Sequence, residues 1–532
     1  MLFEILLLLV VAFLVKYIYE KGYKNEYYFK DKGIKYLQPK FLLGNSANLF
    51  LRRKTMVDYF KDAYFKFPNE KLMGMFEFRT PAYIIRDPEL VKQLAVKEFD
   101  SFTDHRSVIS SEADPIFGKS LISLKGDDWR EMRATLSPAF TGSKMRLMFE
   151  LVSECAKQMV SFIDNETKTK GIQTYEMKEF FSRMSNDIIA TCAFGFQVDS
   201  LTHQTNEFYI NAKEMMNFTS PLRLIKFILL MMFPKFFEIT KIRLIPEKLT
   251  GYFKNAIFSA MDYREKQNII RPDMINLLME AKKGKLTHQG AEQHDSAGFA
   301  TVEESQVGKQ SGKKTLSDDD ILAQCFLFFL AGFETVSVAM SFLTYELAVN
   351  PDVQEKLYQE ILETSEELGS KSLNYDVIQK MKYMDMVVSE LLRMWPPAIA
   401  TDRLCNRDIT VNADNGVEYN FKKGDVLMIP MIGFHFDTKY FSDPDKFQPE
   451  RFSDENKHTI TPGTYLPFGV GPRNCIGSRF ALMEVKAIMY YILLNFTIEP
   501  NEKTQIPLKL SKEPSMKTEK GVHLQFTPRA KV

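Results

Sequence analysis

The chain has 532 residues, 45% of them hydrophobic and 26% charged, and a formal net charge of +1. That balance suits a globular protein with a large core, and it gives no electrostatic footprint for a nucleic-acid partner. Its five cysteines, Cys155, Cys192, Cys325, Cys405 and Cys475, are widely spaced and form no Cys-x-x-Cys pair, so they argue against a structural zinc site and for a reduced compartment.

At ~150 residues per domain the length alone suggests about 3–4 domains, although some single folds are this large. Ile5 to Val15 is an uninterrupted apolar run. With Leu2, Phe3, Tyr17 and Ile18 it approaches the roughly 17 residues that span a bilayer. Lys16, Lys21 and Lys24 follow it, which places the body of the protein on the cytosolic side. A cleaved signal peptide is the rival reading, but no basic segment precedes the run and no small-x-small cleavage site follows it. The expected division is therefore an anchor at 1–22, a connector at 23–44 and one large domain at 45–532.

Ala82-Tyr83-Ile84-Ile85 reads as a strand. Trp129 and Arg133 are four apart and share a helix face; in isolation this is a surface aromatic–arginine contact. Leu147 to Ile163 and Met177 to Phe194 carry helical periodicity. Pro221 to Pro246 is rich in Leu, Ile, Phe and Met with interleaved Lys and Arg. It reads either as a buried core helix or as a segment lying in a membrane surface. Lys282 to Ser317 is polar and aperiodic, and is expected to be a partly mobile surface loop.

Asp320 to Tyr345 reads as a long apolar helix containing Ala331-Gly332-Phe333-Glu334-Thr335. An acid and a hydroxyl are costly to bury there without a use. Gly332 is expected to leave room for a ligand, Thr335 to offer a hydroxyl to it, and Glu334 to relay protons from solvent. The plainer alternative is an exposed glutamate and a threonine bonded back to its own helix. In Met384 to Pro397, Glu390 and Arg393 share a helix face among apolar neighbours, and a buried pair there needs a third partner. Arg451, in Pro449-Glu450-Arg451-Phe452, is the candidate. Gly424 to Pro430 reads as a turn and a strand.

Phe468 to Gly477 reads Phe-Gly-Val-Gly-Pro-Arg-Asn-Cys-Ile-Gly. It precedes a helix whose apolar residues Phe480, Met483, Ala487, Tyr490, Tyr491 and Leu494 are expected on one face. A cysteine in a glycine turn at a helix N-terminus is placed for thiolate character. Gly469 and Gly471 permit the tight turn, and Arg473 adds a cation for an anionic group.

This ten-residue segment resembles the haem-binding loop of the cytochrome P450 family. The resemblance spans almost the whole chain and is closest to microsomal insect members of the detoxification clan, with Asp104-His105-Arg106 and Arg271-Pro272-Asp273-Met274-Ile275 as supporting motifs. It implies a mostly α fold with a small β region, the cytochrome P450 fold, carrying haem b with Cys475 as the axial thiolate. Such a ligand pushes electron density onto iron and favours O–O cleavage. The resemblance further implies that Trp129, Arg133, Arg473 and Arg403 hold the haem propionates, with Phe468 lining the cofactor. It makes Thr335 and Glu334 the catalytic pair and Glu390–Arg393–Arg451 a structural lock. Family members carry a second hydroxyl after the threonine; here Val336 stands there and Ser337 follows. His105 and His435 are not read as ligands.

The implied reaction inserts one oxygen atom from dioxygen into a lipophilic molecule, a xenobiotic or an endogenous lipid. No nicotinamide-binding glycine fingerprint is present, so electrons from NADPH must come through a reductase, with a small b-type cytochrome as a further partner. Arg130, Lys144 and Arg479 are candidate docking cations. The expected location is the cytosolic face of the endoplasmic reticulum membrane. A haem-thiolate isomerase and a non-catalytic haem sensor are the alternatives. The retained Glu334–Thr335 pair speaks against the first, and the want of an output module against the second. Substrate identity is not readable from the sequence.

Overall fold

The computed structural model describes residues 12, 15–17, 19–20, 25, 27–106, 114–217, 220–243, 245–284, 298–302, 315–413 and 416–530. Most of the expected anchor lies outside them. The described chain is mostly helical with three small sheets, in agreement with the expected fold class. It divides into two compact units, one of residues 1–106, 399–434 and 511–516, the other of residues 107–398, 435–510 and 517–532.

The first unit is built on a four-stranded sheet: β1 (Leu72–Glu77), β2 (Thr80–Ile85), β3 (Thr401–Leu404) and β4 (Val426–Ile429), in the order β1-β2-β4-β3. β1 and β2 form an antiparallel hairpin, β2 runs parallel to β4, and β3 is antiparallel to β4. Every residue of β4 is buried, which explains its continuous apolar run: an inner strand covered on both faces has no polar side to show. Next to β3, Asp402 accepts from His105 Nδ1 (2.9 Å) and from the Arg106 backbone (2.8 Å). His105 is thus a structural partner in this unit.

Six helices organise the second unit: α1 (Gly126–Leu136), α2 (Gly142–Lys170), α3 (Met177–Ile189), α4 (Asp318–Val349), α5 (Lys382–Met394) and α6 (Ser478–Asn495). α4 is 32 residues, about 48 Å long at ~1.5 Å per residue. Ser317 and Asp320 close a capping box at its start, and Asp318, Asp319 and Asp320 meet the positive end of its dipole. Pro351 opens the next helix, Pro351–Leu368. Among the described residues α4 alone is long and apolar enough to cross a membrane, yet most of it is buried inside the protein. Its length and apolarity follow from packing on several sides.

Sequence readings are corrected or narrowed at three places. α6 is buried nearly all round from Leu482 to Leu493, so it has no solvent face. Its one buried lysine, Lys486, is neutralised by Asp385 at 2.9 Å. The segment from Pro221 forms two helices, Pro221–Met232 and Pro234–Thr240. It is not a fully buried core helix: Leu230 and Phe237 are buried, but Leu222, Ile225, Leu229, Phe236 and Ile239 are exposed. Within the polar stretch before α4, residues 298–302 are not a free loop but are held by hydrogen bonds and ring contacts.

Candidate functional site

Cys475 is the one exposed cysteine; the other four are buried. The loop before it turns on two glycines in the left-handed region, Gly469 (φ +80°) and Gly471 (φ +70°), where any other residue would be strained. Gly469 N–H donates to Leu466 O at 3.0 Å, Asn474 N–H to Gly471 O at 3.0 Å, and Cys475 N–H to Phe468 O at 2.9 Å. Two consecutive turns thereby present the thiol just before α6. Phe468 is half-buried at the mouth of this loop.

The loop is tied to α1 by buried cations. Arg133 donates to the carbonyl (2.8 Å) and the side-chain oxygen (2.9 Å) of Asn474. Arg473 donates to Leu121 O (3.2 Å) and Leu124 O (2.7 Å), and its guanidinium lies 4.1 Å from the Trp129 ring centroid. Trp129, Arg133 and Arg473 are all buried. Desolvated cation–π contacts of this kind are worth about 2 kcal/mol. The spacing of Trp129 and Arg133 therefore marks a buried cluster beside Cys475, not a surface contact.

In the middle of α4, Ala331 and Thr335 are exposed while Phe333 and Val336 are buried. The Thr335 hydroxyl donates to Ala331 O at 2.6 Å. Glu334 pairs with Lys178 of α3 at 3.0 Å, and Lys178 also donates to Ser182 (3.0 Å) and Ser337 (2.8 Å). Lys178 was invisible in the sequence, because nothing local links it to a residue on another helix. Gly332 does not leave open room: a Cβ there would lie 2.4 Å from the Ile189 side chain. The missing side chain lets α3 approach α4.

Behind the loop, Glu390 is fully buried and accepts from Arg393 through both oxygens (2.7 and 2.9 Å) and from Arg451 (3.2 Å). Arg393 also donates to His435 O (2.9 Å) and Pro444 O (2.8 Å). The expected third partner is in place. His435, set aside in the sequence, joins this lattice to the cysteine loop. Its Nδ1 is 2.9 Å from Arg393 O, and its Nε2 accepts from Leu466 N–H at 2.9 Å. Burial lowers its pKa to about 3, so the ring is neutral with the proton on Nδ1.

Arg403 sits in the first unit, fully buried in β3, and donates to Asp402 O at 2.6 Å. Burial lowers its pKa to about 10, against the opposing pull of Asp402; the group stays cationic at neutral pH. Of the candidate docking cations, Arg130 pairs with Asp127 at 2.8 Å.

Comparison with known proteins agrees with this arrangement. The chain matches the family described as Cytochrome P450 over residues 35–526. It is 45% identical over 517 residues to probable cytochrome P450 9f2 of Drosophila melanogaster, covering 96% of each chain. It is 43% identical over 516 residues to cytochrome P450 9e2 of Blattella germanica, covering 94% of each. With cytochrome P450 6k1 of Blattella germanica the identity is 33% over 501 residues, 94% of this chain and 92% of that one. The chain belongs to the cytochrome P450 family, whose members are generally haem monooxygenases, and these relatives are insect proteins. The family implies a haem iron, and the residues suit one: a thiol on a glycine loop, with two buried guanidinium groups and an indole beside it. Those are the donors that an iron and two carboxylates call for.

Proposed function

We propose that this protein is a haem-thiolate monooxygenase of lipophilic substrates in which Cys475 is the axial ligand of haem b. The observation that carries this reading is the exposed cysteine on its double-glycine loop, beside the buried Trp129–Arg133–Arg473 cluster. Bound there, the haem iron supplies dioxygen activation, with the thiolate favouring O–O cleavage.

Arg133, Arg473 and Trp129 are placed to neutralise and orient propionates. The family resemblance, more than any contact described here, assigns Arg403 the same role and Phe468 a place against the cofactor. On α4, Thr335 orients water or ligand through its hydroxyl, and Glu334 passes protons toward it. Lys178 pairs with the Glu334 carboxylate at 3.0 Å, so a path from solvent through Glu334 requires that contact to open. The Glu390–Arg393–Arg451 lattice acts through position: it fixes the segment from His435 to Leu466 that delivers the loop.

Electrons come from NADPH through a cytochrome P450 reductase, with a small b-type cytochrome as a second donor. Arg130, Lys144 and Arg479 are the proposed docking cations. The proposed location is the cytosolic face of the endoplasmic reticulum membrane, held by an anchor at 1–22. The exposed apolar residues of Pro221–Met232 and Pro234–Thr240 support a second membrane contact, with Lys226, Lys235 and Lys241 at headgroup level.

The deciding experiment is the carbon monoxide spectrum of the reduced protein, followed by NADPH- and reductase-dependent oxygen consumption with a lipophilic substrate panel. The unaltered chain is expected to show the long-wavelength thiolate band and reductase-dependent product. Cys475→Ser is expected to lose both. Retention of the band in the serine variant would end the proposal, and turnover without reductase would turn it toward isomerase chemistry.

A further inference from the structure

Residues 298–302, Gly-Phe-Ala-Thr-Val, lie within the polar stretch between Met274–Lys282 and α4, and they make contacts that a simple connector does not need. Gly298 has φ +109°, and a Cβ there would lie 1.7 Å from Asp385 Oδ1; only glycine permits the approach. Phe299 N–H donates to Asp385 Oδ2 at 2.8 Å, while buried Lys486 donates to Asp385 Oδ1 at 2.9 Å. The Phe299 ring packs on Phe452 (5.1 Å) and Tyr465 (5.5 Å), which themselves meet at 4.9 Å. Ala300 is buried, and Thr301 N–H closes a turn onto Gly298 O at 3.1 Å.

The residues it grips, with the lysine that shares Asp385, have one thing in common. Lys486 belongs to α6, the helix that leaves Cys475. Tyr465 belongs to the strand of chain that enters the loop: its hydroxyl donates to Ser389 O at 2.9 Å, and its ring stacks on His435 at 5.6 Å. Asp385 lies in the first turn of α5, which carries Glu390 and Arg393. The pentapeptide therefore touches the approach to the cysteine loop and the helix behind it, and reaches the helix after it through the shared acceptor Asp385.

We propose that residues 298–302 are an intramolecular clasp that positions the Cys475 loop, with Phe299 as its aromatic anchor and Asp385 as its shared acceptor. This rests on Cys475 being the thiolate ligand only for its consequence for haem; the clasp itself is a statement about the loop. Clasped, the mounts on either side of the cysteine move as one body. Unclasped, the loop opens locally while the fold persists.

The test is hydrogen exchange on the full chain with the variants Phe299→Ala, Gly298→Ala and the milder Phe299→Leu. It reads the amides of Leu466, Gly469, Asn474 and Cys475. Protection there is expected to fall on the order of tenfold in Phe299→Ala and Gly298→Ala, and less in Phe299→Leu. With carbon monoxide bound to the reduced protein, the thiolate band is expected to be present at the start and to decay faster by a similar factor. Faster exchange confined to residues 298–302, with the loop amides unchanged, would overturn the clasp. If the unaltered chain showed no thiolate band, the exchange result would still decide the clasp, while the haem reading would fail separately.

Discussion

Two charged clusters of this protein, around Glu390 and around Glu334, are built in opposite ways. Around Glu390, the carboxylate and Arg393 are fully buried, and the carboxylate is gripped by two arginines while backbone carbonyls take further guanidinium donors. Around Glu334, the partner is a single lysine, with side chains 22% (Lys178) and 33% (Glu334) exposed and two serines close by. The same interaction type thus serves two ends. Deep burial with complete hydrogen bonding makes a pair that cannot change state without unfolding its surroundings. Partial exposure with one flexible partner makes a pair that can open and re-form at little cost in stability. The first cluster suits a mount, the second a relay.

The largest test of this contrast is Arg393→Ala. Removing one partner strands a buried carboxylate, which costs ~3–5 kcal/mol, and the expected outcome is little folded protein and no haem retention, read by urea denaturation and pigment content. A variant that folds with near-native stability would erase the distinction.

A second test uses acidity. His435, joined to the lattice, is neutral in the fold because burial lowers its pKa from 6.5 to about 3. The unfolded chain takes up the proton first, so this contribution to stability is whole above pH ~6.5 and is lost as pH falls toward ~3, by up to ~1.4 kcal/mol per pH unit. Urea midpoints measured between pH 7 and 5 should fall, and the slope should be shallower in His435→Gln. Equal slopes would detach His435 from the mount.

The smallest stability effect is expected from Lys178→Met. A half-exposed pair is worth ~0–1 kcal/mol, so the denaturation midpoint should barely move. The fraction of consumed oxygen that reaches product should change, because the carboxylate loses its positioning partner. A large loss of stability with that fraction unchanged would make Glu334–Lys178 another mount.

How much of this was legible in the sequence depends on distance along the chain. Glu390 and Arg393, Trp129 and Arg133, and Cys475 with its glycines lie within one turn or one loop, so the spacing shows that they can meet, while the family resemblance supplies their roles. Lys178 against Glu334, His435 against Arg393 and Leu466, and Phe299 against Asp385 are meetings of segments far apart, with no local trace. The reading of α6 as one-faced failed because a helix surrounded by other helices buries polar residues as well, Lys486 among them. Pro221 to Pro246 stayed open between a core helix and an outward-facing segment, because composition alone does not say which side of a helix has neighbours; Leu222, Ile225, Leu229, Phe236 and Ile239 are exposed, while Leu230 and Phe237 are buried. Gly332 was rightly singled out but for the wrong reason, since Ile189 takes its space.

The four buried cysteines carry a consequence for durability. Burial raises the pKa of Cys155 to about 12 and of Cys405 to about 11, and pushes Cys192 and Cys325 upward as well. Peroxide attacks the deprotonated sulfur of accessible residues, and these four offer neither deprotonation nor access. A catalyst that leaks reduced oxygen species during idle cycles would otherwise corrode itself from within. Here the interior sulfurs are shielded by the same packing that holds the helices together, and that resistance comes with the core.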